Sequence, residues 1–239
     1  MSIKDQVVVI TGASKGLGAA IATRLAQAGC TLALIARSEL ELDKLADQLT
    51  CEHGVIAQGY ACDLTDSQAV LALAKQITQT FGHIDVLVNN AGLGFYKPFL
   101  EHSVEEHEMI IDLNVKAAIH FSYGVLPKMV KRQSGQIINI ASDVSTRPQP
   151  NMAVYSASKF ALRGFSLSLL REVKEHGIKV GLLNPGIIDT CFNNNVPGNS
   201  SAEHALQPDS VADVVYQMIA QPQYQLIDEL TLHPQLQDF

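Results

Sequence analysis

Tyr155 and Lys159 stand four residues apart, so a helix through them places both side chains on one face. A phenol ordinarily gives up its proton near pH about 10 and is a poor acid or base at neutrality. A lysine cation beside it favours the phenolate and draws that value toward the working pH, which is the setting for general acid–base chemistry. Ser142 comes thirteen residues before Tyr155, at the end of an apolar run. A hydroxyl there can hydrogen-bond an oxygen that gains charge during a reaction. Taken alone, a tyrosine and a lysine at this spacing are an ordinary helix-surface contact.

A second chemical signal stands near the start, where Thr11-Gly12-Ala13-Ser14-Lys15-Gly16-Leu17-Gly18 lies between an apolar run and an amphipathic one. Glycines allow a tight turn and let a pyrophosphate approach the backbone, and the following helix offers free N–H groups and a partial positive charge. No Gly-Lys-Ser/Thr closes the turn, so it is not a Walker-type phosphate loop.

These residues need elements to position them. Short apolar runs occur at 7–11, 32–36, 55–60, 86–89, 136–140, 179–184 and 229–232. Rich in β-branched residues and without internal alternation, they read as strands buried on both faces. Helical patterns fill 17–28, 39–50, 67–81, 104–131, 153–176 and 210–220, and Gly29, Gly82, Gly135 and Gly177 fall where helices should stop. The alternation predicts an α/β fold: a single Rossmann-type domain over 1–239, with a doubly wound parallel sheet of about seven strands. Such sheets bind ligands at the carboxyl ends of their strands.

The Gly-x-x-x-Gly-x-Gly spacing resembles that of the short-chain dehydrogenase/reductase family, and further matches follow in order. They are Asp63 after the third strand, Asn89-Asn90-Ala91-Gly92 after the fourth, Asn114 in the long helix and Ser142 after the fifth. Tyr155-Ser156-Ala157-Ser158-Lys159 and Asn184-Pro185-Gly186 with Thr190 complete the set. The resemblance implies a hydride transfer between a nicotinamide cofactor and a carbonyl or alcohol, with Asn114, Ser142, Tyr155 and Lys159 as the catalytic set. Tyr155 is then the acid or base, Lys159 also holds the nicotinamide ribose, and Asn114 holds a water in a proton relay. The cofactor contacts it implies are Gly12, Ser14, Lys15, Gly16, Leu17, Gly18, Asp63 and Leu64 near the adenine, Asn90, Ala91, Gly92, Pro185, Gly186, Ile188 and Thr190.

The second strand ends at Ala36-Arg37, where NAD-binding folds usually carry an acid for the ribose 2′-hydroxyl. An arginine instead suits a 2′-phosphate through charge-assisted bonds, and Lys15 is a second candidate for it. The expected cofactor is therefore NADP(H).

The substrate should be walled by 93–96, 143–152 and 191–206, with 187–207 as a lid that looks mobile. That lid is short for the family, which points to small or varied carbonyls, in the manner of broad carbonyl reductases or the sepiapterin-reductase-like branch. Reduction of 3-oxoacyl carrier-protein thioesters is the alternative, although 228–235 lacks the glycine-rich ending of that branch. A non-catalytic NADP sensor is the other class. Such relatives usually lose the tyrosine or the lysine, and this chain keeps both.

Composition narrows the rest. Seventeen basic and 24 acidic residues give a net charge of −7 without a basic stripe, which speaks against nucleic-acid binding. No signal-peptide pattern or spanning apolar run is seen, so a cytoplasmic protein without membrane contact is expected. Cys30, Cys51, Cys62 and Cys191 make neither a CxxC pair nor a metal spacing and read as reduced, mostly buried thiols. His102 and His107, five apart among Glu101, Glu105, Glu106 and Glu108, read as a solvated helix face and no metal site. The wide apolar set on 153–176, including Phe160, Leu162, Phe165 and Leu169, points to a helix buried on two sides, as in a homodimer or homotetramer.

Overall fold

In the computed structural model, which describes residues 2–199 and 201–237, the first strand already shows how the layers form. In β1 (Val7–Thr11), Val8 and Ile10 face one core while Val9 faces the other, as alternating strand side chains must. The next strand, β2 (Thr31–Ala36), divides the same way, with Leu32 and Leu34 on the first face and Ala33 and Ile35 on the second. The remaining strands are β3 (Ala57–Ala61), β4 (Val86–Asn89), β5 (Gly135–Ile140), β6 (Ile178–Pro185) and β7 (Glu229–Leu232). All pairings are parallel, in the order β3-β2-β1-β4-β5-β6-β7.

One face is covered by α1 (Gly16–Gln27), α2 (Glu39–His53) and α7 (Pro208–Ile219), through Ile21, Leu25, Leu42, Leu49, Val211 and Val215. The other is covered by α3 (Ser67–Phe81), α5 (Ala117–Arg132) and α6 (Ala153–Val173), through Val70, Ile77, Phe121, Val125 and Leu169. Each fully buried aliphatic side chain contributes about 1.5–3 kcal/mol of transfer free energy, so these two stripes hold the helices to the sheet. Among the described residues, no helix is long and apolar enough to cross a membrane.

Several boundaries differ from the sequence reading. The third strand begins at Ala57, paired with Leu32, two residues later than expected. Both edge strands, β3 and β7, are only partly buried, because each has a neighbour on one side alone. The expected long helix is α4 (Val104–Ile111), then a π-helical stretch at Asp112–Lys116, then α5. A π-turn adds a residue to the helical repeat, which apolar periodicity does not reveal. Gly135 is not a helix end but the first residue of β5. The helix ends through Gln133 at φ 54°, and a Cβ on Gly135 would lie 2.6 Å from the Met129 side chain.

Candidate active site

The strand order reverses between β1 and β4, and their carboxyl ends open the crevice where such sheets take ligands. Thr11 Oγ1 accepts hydrogen bonds from the backbone N–H groups of Asn90 (2.9 Å) and Ala91 (3.0 Å). In return, Asn90 Nδ2 donates to the carbonyls of Thr11 (2.9 Å) and Gly12 (3.3 Å). The two loops thus form one rigid floor. Gly12, at φ 65°, passes so close that a Cβ would lie 2.9 Å from Ala91 Cα. A Cβ on Gly18 would lie 2.1 Å from the Gly12 carbonyl oxygen. Only glycine fits either position. Lys15, extended and exposed at the N-cap of α1, gives no side-chain cap, so the amides of Gly16, Leu17 and Gly18 are left to an anionic ligand. Ser14 is half-buried beside it, and the Leu17 side chain is committed to the core.

Arg37 is exposed at the end of β2. Asp63 Oδ1 accepts from Thr65 N (3.0 Å) and Thr65 Oγ1 (2.8 Å). These bonds, helped by the Arg37 charge, hold the Asp63 carboxyl below the usual range. Leu64 turns its side chain into the α3-side core, which leaves only its backbone to a ligand.

Ser142, Tyr155, Lys159 and Asn114 are all buried and come together at the ends of β4 and β5. Lys159 Nζ donates to the Ile140 carbonyl at 3.1 Å and lies 5.6 Å from the Tyr155 ring centroid. The Tyr155 hydroxyl makes hydrogen bonds with Ser142 and Tyr96, and its ring meets Tyr96 edge-on at 5.4 Å and Phe192 at 6.0 Å. Asn114 comes from the π-helical stretch. Its Oδ1 accepts from Leu93 N (2.8 Å), and its Nδ2 donates to Leu93 O (2.9 Å) and Ser158 Oγ (3.0 Å). A Cβ on Gly92 would lie 3.2 Å from Asn114 Oδ1 and 3.6 Å from Lys159 Nζ, so this glycine keeps a cradle open between them.

The electrostatics reverse one expectation. Burial pushes the Tyr155 phenol up to about 12, against the smaller downward pull of Ser142 and Tyr96 and with a further push from the Asp143 charge. Burial also lowers the Lys159 ammonium to about 8. In the chain by itself, desolvation outweighs the mutual help that the Tyr/Lys spacing implies.

After β6 the chain turns back over this centre. Gly186 N donates to Leu232 O (2.8 Å), Ile188 pairs with Leu206, and Leu206 N donates to Ile187 O (2.8 Å). Thr190 is buried beside the glycine turn, its Cβ 3.5 Å from where a Gly16 Cβ would be. The 187–207 segment is therefore tied at its base through Ile187, Ile188 and Leu206; Ser200 within it lies outside the described residues. Pro185 closes β6 itself.

Two further expectations are corrected. Only Cys30 is buried; Cys51 is exposed and Cys62 and Cys191 are intermediate, because their positions fall at loop and helix surfaces. The 102–107 stretch is solvated only in part: Glu101, Glu105 and Glu108 are exposed as expected, but the two histidine rings are packed inward. His102 packs 5.3 Å from His107, which stacks on Phe99 at 5.2 Å, and Lys97 pairs with Glu106 at 2.8 Å. Among the described residues no group of three or more His, Cys, Asp or Glu could hold a metal ion. Gln237 escapes sequence reasoning, and Thr11 and Ser158 stand inside the two motifs without a role of their own. The contacts they make across the fold are specified by nothing local in the chain.

The short chain dehydrogenase family model matches residues 6–200. An uncharacterized oxidoreductase of Staphylococcus epidermidis is 34% identical over 233 residues, covering 97% of this chain and 98% of the relative. Among solved structures, an alcohol dehydrogenase from the archaeon Thermococcus sibiricus, complexed with 5-hydroxy-NADP, aligns with a TM-score of 0.93 and 34% identity. That match covers 98% of this chain and 99% of the other. The L-sorbose reductase of Gluconobacter frateurii, complexed with NADPH and L-sorbose, aligns with a TM-score of 0.89 and 29% identity over 98% and 97% of the two chains.

Proposed function

Because the chain belongs to the short-chain dehydrogenase family, we propose that it is an NADP(H)-dependent oxidoreductase that interconverts a small ketone, aldehyde or diketone with its alcohol. The observation that carries this reading is the convergence of Ser142 and Lys159 on Tyr155, beside the cradle that Asn114 and Lys159 form at Gly92. The residues present fit the cofactor. Gly12 and Gly18 keep the floor free of side chains, the first turn of α1 offers amides to a pyrophosphate, and Arg37, exposed at the end of β2, is the cation for a 2′-phosphate in this reading. Asp63, Asn90, Ala91, Pro185, Gly186, Ile188 and Thr190 line the remainder of that crevice in this reading. The cofactor, when bound, supplies or accepts the hydride.

The chain's own residues manage the proton. Tyr155 gives its hydroxyl proton to the substrate oxygen in reduction and takes it back in oxidation. Ser142 donates a hydrogen bond to that oxygen as it gains charge. Lys159, when protonated, supplies positive charge that stabilises the phenolate left behind. Asn114 holds the Leu93 backbone and Ser158, whose hydroxyl in turn donates to the Tyr155 carbonyl at 2.6 Å, so the tyrosine's helix turn is fixed in place. The 187–207 segment covers the pocket in this reading, with Tyr96 and Phe192 as apolar walls. A second copy of the chain, in a homodimer or homotetramer, covers the exposed Tyr123 on α5 and Phe160 on α6.

The test is NADPH consumption, with NADH in parallel, across ketones, aldehydes, diketones and acyl thioesters. The expected result is turnover with NADPH that falls by a factor of about 10²–10⁴ in Tyr155→Phe. A Tyr155→Phe chain as fast as the parent would overturn the assignment.

A further inference from the structure

Asp143 follows the reacting serine, is itself buried, and gathers three neighbours. Ser142 Oγ donates to its Oδ1 at 3.0 Å, Gln237 Nε2 donates to its Oδ2 at 2.5 Å, and His233 Nε2 lies 3.5 Å from Oδ2. The same Gln237 amide accepts, through Oε1, the N–H of Ile187 at 2.9 Å. It reaches there because Gly186 has no side chain: a Cβ on Gly186 would lie 2.1 Å from Gln237 Oε1. One side chain from the segment after β7 therefore bridges the serine loop after β5 and the loop after β6, 94 residues from its acceptor.

A serine hydroxyl has one proton to donate. Held by Asp143, that proton is not offered to a substrate oxygen. An amide donor on the far oxygen of the carboxylate draws negative charge away from Oδ1 and loosens its hold on Ser142. We propose that Gln237 is a positioning residue for the reaction: by donating to Asp143 and accepting from Ile187, it frees the Ser142 hydroxyl to turn to the substrate oxygen. The inference rests on the reading of Ser142 given above. Among the described residues, the titratable groups that face Asp143 are His233 on the segment after β7, Tyr155 on α6 and Tyr96 on the loop after β4. Its charge pushes both phenols up, so its state also bears on the proton donor.

Gln237→Glu separates this role from a merely structural one. The variant keeps an acceptor for Ile187 and replaces the donor to Asp143 with a like charge. The expected result is a fall in kcat of about tenfold, the loss of one hydrogen bond to a charged group. KM for NADPH should be unchanged. In an Asp143→Asn background the same substitution should cost little, because the new amide can donate to Glu. The same pair of substitutions read by urea unfolding needs no turnover: Gln237→Glu should destabilise the parent and cost little in the Asp143→Asn chain. A destabilisation undiminished in the Asp143→Asn background overturns the proposal. So does an unchanged kcat, or a loss of kcat undiminished in that background. If the parent reduces no carbonyl, the proposed reaction fails and the urea cycle still decides whether Gln237 acts on Asp143.

Discussion

Lys159→Met should make the protein more stable while removing its activity. The Lys159 ammonium is buried, and desolvation lowers it from 10.5 to about 8. At neutral pH the folded chain therefore holds a charge it is penalised for burying, by about 3 kcal/mol relative to the unfolded chain. Methionine is of similar length, apolar and adaptable, and carries no such penalty. Against this gain stands the bond from Nζ to the Ile140 carbonyl, whose loss leaves a buried acceptor and costs about 1 kcal/mol. The net expectation is about 2 kcal/mol of added stability at pH 6–7, or roughly 4–8 °C in Tm for a chain of this size. The sign fixes the pH window. Between pH about 8 and 10.5 the unfolded lysine binds the proton that the folded one has lost, so the parent gains stability as pH rises. The advantage of the variant is thus whole below pH about 8 and gone above about 10.5. Urea unfolding of parent and variant at a series of pH values, without cofactor, measures it. A methionine chain no more stable than the parent at pH 7, or one whose advantage persists unchanged to pH 10.5, would refute the desolvation argument.

Arg37→Ala should weaken NADPH binding by about tenfold, the low end for a charge-assisted bond at an exposed site, and leave NADH binding nearly unchanged; parallel KM measurements check it. Gly18→Ala places a Cβ 2.1 Å from the Gly12 carbonyl and 2.7 Å from Asn90 Nδ2, so the floor must shift. A fluorescence titration should show NADPH affinity reduced by more than about tenfold, the size of a strained core contact, and parent-like affinity would contradict the geometry. Burial, aided by the charges of Asp85 and Asp5, pushes the Cys30 thiol up to about 12. In a Cys51→Ser, Cys62→Ser, Cys191→Ser chain at pH 8, an aromatic disulfide reagent should label Cys30 only after denaturant is added; rapid native labelling would disprove its burial.

The sequence by itself determined the layered fold and the neighbourhood of the chemistry. Runs such as 7–11 and 86–89 are too apolar and too short for anything but buried strands, and the helices between them enforce parallel order. Parallel order in turn puts every strand's carboxyl end on one edge, so Gly12, Asn90, Ser142 and Gly186 had to meet although they are far apart in the chain. Tertiary structure alone decided what depends on neighbours from elsewhere in the sequence. The extra residue at Asp112–Lys116 aims Asn114 at Leu93, and no periodicity announces it. The His102–His107 contact tucks two rings inward from a stretch whose glutamates Glu101, Glu105 and Glu108 stay exposed. Tyr155 and Lys159 share a helix face as their spacing requires. Yet the direction of each proton equilibrium follows from the low-dielectric packing around them, which the spacing does not encode. The bond between Gln237 and Asp143 is of the same kind. It exists only because the segment after β7 passes over a glycine at the end of β6, and proximity of that sort is a property of the folded chain.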